Sequence, residues 1–247
     1  MSRPGRIWAA FLAAWHAFVR RRVAVFFTFF FPAILVLIFG ALVGTNPGGG
    51  GLFARPPDYY VAGYLAVVVL FTPLSRVSSE VARHREGNRF EKLATTPLTR
   101  AEWLLAQTLV NVVLVGIAVV LILALLSAVT EATPALGVML VPAVVAGTVL
   151  FCGFGALLGR LADSQDGAIT AANAIGLPLL FLSETFVPPE LLPEWFTPLL
   201  SLSPLTYFSR AARAATLGEV DLVSFAVLVM LAVVFFVAGA YAIPRTD

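Results

Sequence analysis

Six long stretches of this sequence carry almost no charged side chains, and they limit the fold more than any other feature. An α-helix rises about 1.5 Å per residue, so about 20 residues cross the roughly 30 Å hydrocarbon core of a bilayer. Because backbone polar groups must be paired internally in lipid, each stretch is predicted to form a helix. The predicted spans are residues 23–44, 59–79, 103–130, 132–159, 167–186 and 222–244, and the third and fourth are predicted to form a tight hairpin.

The overall composition supports a membrane protein. Hydrophobic residues make up 60% of the 247 residues and charged residues 12%, whereas soluble domains average about 45–50% and about 25%. A soluble protein of this length could not bury so much apolar surface. Residues 1–247 are therefore predicted to form one all-α polytopic membrane domain of six spans. An N-terminal interfacial helix and an outer re-entrant or amphipathic segment before the last span complete this prediction.

The distribution of Lys and Arg predicts the orientation of these spans. With the N-terminus placed in the cytoplasm, 13 of the 16 Lys and Arg residues fall on the cytoplasmic side. The other three, Arg55, Arg210 and Arg213, fall on the outer side. Cytoplasmic loops are enriched in Lys and Arg, so both termini are predicted to be cytoplasmic.

Residues 4–22 precede the first predicted span and have the character of an interfacial helix. Trp8 and Trp15 share one helical face with other apolar side chains, and arginines flank the segment at both ends. Aromatic rings favour the headgroup region, and arginines favour lipid phosphates. The candidate lipid-contacting residues are Trp8, Trp15, Arg20, Arg21 and Arg22. The segment is predicted to be either a lipid anchor alone or an elbow helix that also touches a cytoplasmic partner.

The predicted cytoplasmic loop 80–102 is the most charged part of the sequence. Acidic and basic residues alternate there, which argues against a plain polybasic lipid-binding tail. The sequence predicts a helix over 77–94, a turn at 95–99, and then a helix that continues into the third span. Thr99 is a plausible N-cap, with Glu102 completing a capping box. The loop is either a solvated hairpin or a docking surface for a soluble partner.

The predicted outer segment, residues 187–221, contains too many prolines for one continuous span. Apolar residues between 191 and 199 still recur at helical spacing, which predicts a short amphipathic or re-entrant helix. Irregular backbone at this depth must be covered by protein or water. The segment is either a structural lid or part of an outer gate, for which Glu184, Pro188 and Trp195 are the candidate residues.

The sequence contains no recognisable catalytic, metal or cofactor site. Its two histidines and one cysteine are not spaced as metal ligands. A phosphate-binding loop of the form G-x-x-x-x-G-K-[ST] needs a lysine, and the one lysine, Lys92, follows Glu91. The chain is therefore not predicted to hydrolyse ATP alone. Nucleic acid is not an expected partner, and the scarcity of charge within the spans disfavours an ion-coupled pump.

Residues 85–100 read REGNRFEKLATTPLTR, and residues 192–195 read LPEW, followed by SPLTY at 203–207 and by Arg213. These motifs, in this order, resemble the permeases of type-2 ABC exporters. The resemblance covers essentially the whole chain. Two departures stand out: Asn88 occupies a position where Thr is usual, and Glu184 occupies one where Gly is frequent.

The resemblance implies a mechanism. Two permease subunits, as a homodimer or a heterodimer, would pair in a prokaryotic plasma membrane, and two separate ATPase chains would carry the ATP and Mg. Residues 83–97 would insert into a groove on the ATPase. The implied docking residues are Arg85, Glu86, Gly87, Arg89, Phe90, Glu91, Lys92, Leu93, Pro97 and Leu98. The alternatives are a secondary transporter, which predicts inverted repeats and buried charges, and a non-transporting membrane assembly factor.

Overall fold

A computed structural model of the protein describes residues 2–45, 56–130, 135, 137–186 and 192–244, and all regular structure in these ranges is helical. The helices are α1 (Arg3–Val19), α2 (Arg22–Thr45), α3 (Pro57–Glu86), α4 (Arg89–Ala94), α5 (Arg100–Val129), α6 (Leu140–Leu161), α7 (Gln165–Phe181), α8 (Thr197–Leu200), α9 (Pro204–Thr216) and α10 (Leu222–Ala242). A short 3₁₀ turn, Glu194–Phe196, precedes α8.

Four of these helices, α3, α5, α6 and α10, are long and apolar enough to cross a bilayer. Helices α1 and α2 meet at an angle of 85° and add a fifth candidate if the bent pair counts as one span. Helix α7 has 17 residues, which is at the lower limit of the length that crosses the hydrocarbon core. The all-helical membrane fold is thus supported, and the total of six spans stays a prediction.

Helix α3 occupies the centre of the bundle and packs against α2, α5, α6, α7 and α9. Its side chains at Val61, Leu65, Val69 and Leu74 are fully buried. The helix is 30 residues long. It therefore contains the second predicted span and also continues into the predicted loop 80–102.

The predicted continuous helix over 77–94 is wrong, because the chain breaks at Gly87 and Asn88. Asn88 has a φ of 49° and lies in the left-handed region. An α-helix cannot continue through that conformation, which Asn tolerates better than most residues. Helix α3 therefore ends at Glu86, and the separate six-residue helix α4 follows.

The predicted tight hairpin at Glu131 is also wrong. Helix α5 ends at Val129 and α6 begins at Leu140. Between them, the amide N–H groups of Ala135 and Gly137 donate to the carbonyls of Thr216 and Ala215, at 2.8 and 3.1 Å. The end of α9 thus supplies acceptors for this connection. The apolar composition of the sequence does not show that Ala135 and Gly137 lie outside a helix.

Helix α6 approaches its neighbours closely because glycines line its contact faces. Gly155 and Gly159 face α3, where an added Cβ would lie 2.7 Å from the carbonyl oxygen of Leu74 and 2.4 Å from that of Ser78. Gly153 faces α10 in the same way. Small residues allow the backbone-to-backbone approach on which helix association in lipid depends.

The segment before the last helix differs from the prediction in where its main helix lies. A 3₁₀ turn and the four-residue α8 form where the apolar pattern predicted a short helix. The longer helix is α9, with 13 residues. It packs against α3, α6 and α10, and it buries Leu205 and Phe208. Gly147 of α6 leaves room for the Phe208 ring.

Candidate functional site

The short helix α4 is anchored to its neighbours by three aromatic rings. Phe90 of α4 is only 4% exposed. Its ring lies 5.3 Å from the ring of His84 in α3 and 5.3 Å from that of Trp103 in α5, between centroids. His84 and Trp103 also contact each other at 5.2 Å. Helix α4 is therefore packed at the junction of two long helices.

The opposite face of α4 is exposed and charged. Arg89, Glu91 and Lys92 are exposed, whereas Leu93 is half-buried beside Phe90. Beyond the helix, the hydroxyls of Thr95 and Thr96 donate to the carbonyls of Lys92 and Leu93, at 2.8 and 2.7 Å. The turn that follows exposes Pro97 and half-buries Leu98. Phe90 and Leu93 thus hold α4 in place, and the three charged side chains of α4 face outward.

The predicted capping box at the start of α5 is confirmed. The amide of Glu102 donates to the Thr99 hydroxyl at 3.2 Å, and the amide of Thr99 donates to the Glu102 carboxylate at 2.8 Å. The sequence did not reveal a third partner. Arg6 of α1 donates to the other carboxylate oxygen of Glu102 at 2.8 Å, which ties the N-terminal helix to the first turn of α5.

Two predicted docking residues make contacts within the chain. Arg85 donates to the carbonyls of Arg160 and Ala162 at 2.7 and 2.8 Å, at the end of α6. The carboxylate of Glu86 accepts from the amide of Gln165 at 2.7 Å, at the start of α7. These carbonyl and amide groups are ones that helix ends leave unpaired. Arg85 and Glu86 therefore join the end of α3 to the α6–α7 connection.

The N-terminal helix α1 packs on α5 through one end of its apolar face. Phe18 is buried in a cluster with Val110 and Leu114 of α5. Trp8 is exposed, and its ring stacks on Phe11 with centroids 5.2 Å apart. Trp15 is half-buried, and Arg20 and Arg22 are exposed. Arg21 forms an ion pair with Glu80 of α3 at 3.3 Å. The predicted aromatic face is thus divided between an internal contact and an exposed surface.

A second polar cluster lies where the turn after α7 meets α9. Glu184 is 5% exposed. Its carboxylate accepts from two nitrogens of Arg210, one of them Nε at 3.0 Å. Arg213 donates to the main-chain carbonyl of Glu184, and its guanidinium lies 4.1 Å from the centroid of the Tyr59 ring. The hydrogen bond to Glu184 raises the pKa of Arg210, so this arginine remains charged.

The sequence placed Glu184 at the outer end of the fifth span but did not identify its partners. A usable signal was present, because residues three apart on a helix share a face and Arg210 and Arg213 are two of the three predicted outer cations. The other gate candidates lie apart in the sequence. Trp195 is 70% exposed on the 3₁₀ turn, and Pro188 lies outside the described residues.

Neither polar cluster contains a set of metal ligands among the residues that the structure describes. Within the described ranges, no group of three or more His, Cys, Asp or Glu side chains could hold a metal ion. Cys152 is a buried free thiol in α6.

Comparison with known proteins adds two findings. The sequence model of the family described as ABC-2 type transporter matches residues 5–217. A curated relative, the daunorubicin resistance ABC transporter permease protein DrrB1 of Streptomyces coeruleorubidus, is 28% identical over 192 residues. The match covers 74% of this chain and 64% of the relative, so it spans slightly less than two thirds of that protein's length.

Proposed function

The chain belongs to the ABC-2 type transporter family, and on this basis we propose that it is the permease subunit of an ATP-driven exporter whose ATPase is a separate chain. Two permease copies, alike or different, pair in the membrane, and the cargo passes between them. ATP and Mg²⁺ bind to the ATPase. The cargo is apolar, and lipids, drugs and hydrophobic conjugates all remain candidates. The relative named for daunorubicin resistance supports export as the direction of transport.

The observation that carries this proposal is the two-faced character of α4. Its apolar side chains Phe90 and Leu93 face the bundle, while Arg89, Glu91 and Lys92 face outward. A solvated hairpin would not need such an anchor. An exposed patch of mixed charge suits a protein partner, because complementary charges raise the encounter rate and suppress wrong partners. We assign the outward face of α4, with Pro97, to ATPase docking.

The same anchor gives the proposed coupling a physical route. Phe90 touches His84 at the end of α3 and Trp103 at the start of α5. A displacement of α4 by the ATPase would press directly on both long helices, since packed cores deform little. In this proposal Arg85 and Glu86 have a different role. They fix the C-terminal end of α3 against the α6–α7 connection. Helix α4 would therefore move relative to this fixed end of α3.

The docking role is tested by reversing one exposed charge. Glu91→Arg is expected to lower the amount of ATPase that co-purifies with the permease by about tenfold, as loss of a charge pair and gain of a repulsion together exceed about 1.4 kcal/mol. The matched control is Glu219→Arg, which reverses an exposed acid near the start of α10, on the predicted outer side. Equal ATPase retention by both variants would contradict docking through α4. Glu86→Arg is a less specific test because Glu86 also binds the Gln165 amide.

The orientation of α4 is tested by accessibility. Lys92→Cys, in a background in which the buried Cys152 is changed to Ala, is expected to react with a membrane-impermeant maleimide only after the membrane is opened. Glu219→Cys in the same background is expected to react in intact cells, because the positive-inside rule places it outside. Labelling of position 92 in sealed cells would place α4 on the wrong side for an ATPase.

A further inference from the structure

Three neighbouring polar side chains of α5 are buried in the bundle. Gln107 is 6% exposed, Thr108 is 2% exposed and Asn111 is fully buried. Gln107 and Asn111 are four residues apart, so they share one face of the helix. A polar group inside an apolar bundle is costly unless it is hydrogen-bonded. Each donor and acceptor on this face of α5 therefore needs a partner.

The backbone of α5 satisfies only part of this polar face. The Thr108 hydroxyl donates to the carbonyl of Leu104, and Nδ2 of Asn111 donates to the carbonyl of Gln107, both at 2.9 Å. The second bond fixes the orientation of the Asn111 amide, because the opposite orientation would place two oxygens against each other. Oδ1 of Asn111 and Oε1 of Gln107 are buried and have no hydrogen-bond partner among the described residues. The face thus holds two unused acceptors.

The guanidinium of Arg76, in α3, lies close to the same face. It is 5.5 Å from the centroid of the Phe18 ring, and Phe18 packs with Val110, the residue before Asn111. Cys152 of α6 is a second marker of position, because its thiol lies next to the Asn111 side chain and within electrostatic reach of Arg76. Nη1 of Arg76 is buried and has no hydrogen-bond partner among the described residues. An unused donor therefore lies near the two unused acceptors.

The charges of these groups favour a neutral ligand that both donates and accepts hydrogen bonds. A cation held by the two amide oxygens would be repelled by Arg76, which stays protonated. An anion held by Arg76 would face the two amide oxygens, which are acceptors only. A water molecule can donate to Oε1 of Gln107 and to Oδ1 of Asn111 while it accepts from Nη1 of Arg76. Buried waters typically make about three such bonds to groups that are otherwise unsatisfied.

We propose that one buried water molecule bridges Arg76 of α3 to Gln107 and Asn111 of α5, beside Cys152 of α6. A water needs a space of only about 10–15 Å³, and Cys152 and Ala156 on this part of α6 have small side chains. The bridge joins the two long helices without a direct ion pair between them. The site does not involve the ATPase partner, so its failure would leave the proposed function standing.

Hydroxyl-radical labelling of the purified full-length protein in lipid nanodiscs tests this proposal. A short X-ray pulse converts a bound water into a hydroxyl radical, which oxidises the nearest reactive side chain. Cys152 is that side chain, and because it is fully buried, radicals formed in the bulk solvent do not reach it. Mass spectrometry is expected to find Cys152 oxidised in the parent protein. Protein equilibrated in isotope-labelled water is expected to carry the isotope at this residue.

Variants identify the groups that hold the water. The double variant Gln107→Met with Asn111→Leu removes both acceptors at nearly constant volume. It is expected to lower the rate of Cys152 oxidation about tenfold, because the water would lose two of its three hydrogen bonds. Asn111→Leu alone is the milder change, with an intermediate rate expected, and it provides a test if the double variant does not fold. Thr148→Val is the matched control, since the buried Thr148 hydroxyl donates to the Val144 carbonyl within α6.

An experimental density map gives a second, independent measurement. A single peak is expected within about 3.2 Å of Arg76 Nη1, Gln107 Oε1 and Asn111 Oδ1, and it is expected to be unchanged when bromide replaces chloride in the buffer. A peak that follows the halide would overturn the proposal in favour of an anion. A guanidinium bonded directly to either amide oxygen would also overturn it. So would an unoxidised Cys152 in the parent, or equal oxidation rates in the parent and in Asn111→Leu.

Discussion

Gly153→Val is expected to separate α6 from α10 and to destabilise the protein by more than about 3 kcal/mol. An added Cβ at Gly153 would lie 2.3 Å from the carbonyl carbon and oxygen of Phe235 and 2.5 Å from the amide nitrogen of Phe236. These are backbone atoms of a helix, so they cannot rotate away as the end of a side chain can. Overpacking costs about 1–3 kcal/mol when side chains can adjust, and here the helices themselves must move.

The close contact between α6 and α10 involves a glycine of each helix, which limits how far the clash at position 153 can be relieved. A Cβ at Gly239 of α10 would lie 2.5 Å from the carbonyl oxygen of Gly153 and 3.0 Å from its Cα. Each helix thus meets the other at a glycine. Displacing α10 would open this contact and would also disturb α9, which packs on both α6 and α10.

The loss of stability is measured by thermal unfolding in detergent. Unfolding is followed by intrinsic fluorescence and by the fraction of protein recovered from size-exclusion chromatography. A loss of about 3 kcal/mol corresponds to a fall in Tm of about 6–12 °C for a chain of this size. Gly116→Val is the matched control, because an added Cβ at Gly116 of α5 would meet nothing within 4 Å. Equal melting temperatures for the two variants would show that the α6–α10 crossing does not hold the fold.

Glu184→Ala is expected to give the second large effect, a loss of about 2–3 kcal/mol. Removing one partner of a fully buried ion pair costs about 3–5 kcal/mol. Arg210 is 35% exposed in its side chain, so solvent screening reduces that cost. The variant also leaves the Arg210 guanidinium without its carboxylate partner. The link between the turn after α7 and α9 would weaken.

A double-mutant cycle isolates this pair from other effects of the substitution. Glu184→Ala and Arg210→Ala are each expected to lower the Tm, and the double variant is expected to lose less than the sum. Glu184→Gln, which retains an acceptor, should fall between the parent and Glu184→Ala. Glu219→Ala, at an exposed acid on α10's N-terminal side, serves as the control. Additive losses at positions 184 and 210 would refute an energetic coupling between them.

The parts of the fold that follow local rules were predictable from the sequence. Apolar runs located the long helices, because the backbone in lipid has almost no alternative to the helix. Thr99 and Glu102 form the predicted capping box because the motif depends on residues three apart in one chain segment. The apolar anchor of α4 was visible in the same way, since Phe90 and Leu93 are three residues apart and share a face.

The parts that depend on other segments were not predictable. The hairpin prediction at Glu131 failed because the residues before α6 bond to the end of α9, about 80 residues later in the chain. Asn88 breaks the helix through its own left-handed conformation, which composition does not specify. From the sequence, Arg6 counted only as a cytoplasmic charge and Arg210 only as an outer charge. The pairing of Arg6 with Glu102 depends on the packing of α1 on α5, and the pairing of Arg210 with Glu184 depends on the packing of α9 beside α7.

The first turn of α5 bonds to two helices that are distant in the sequence. Glu102 accepts from Arg6 of α1 at 2.8 Å, and Arg100 donates to the carbonyl of Tyr241 in α10 at 3.1 Å. Sliding of α5 along its own axis would strain both bonds at once. In the proposed coupling, a push received through α4 at the first turn of α5 would therefore act on α1 and α10 as well.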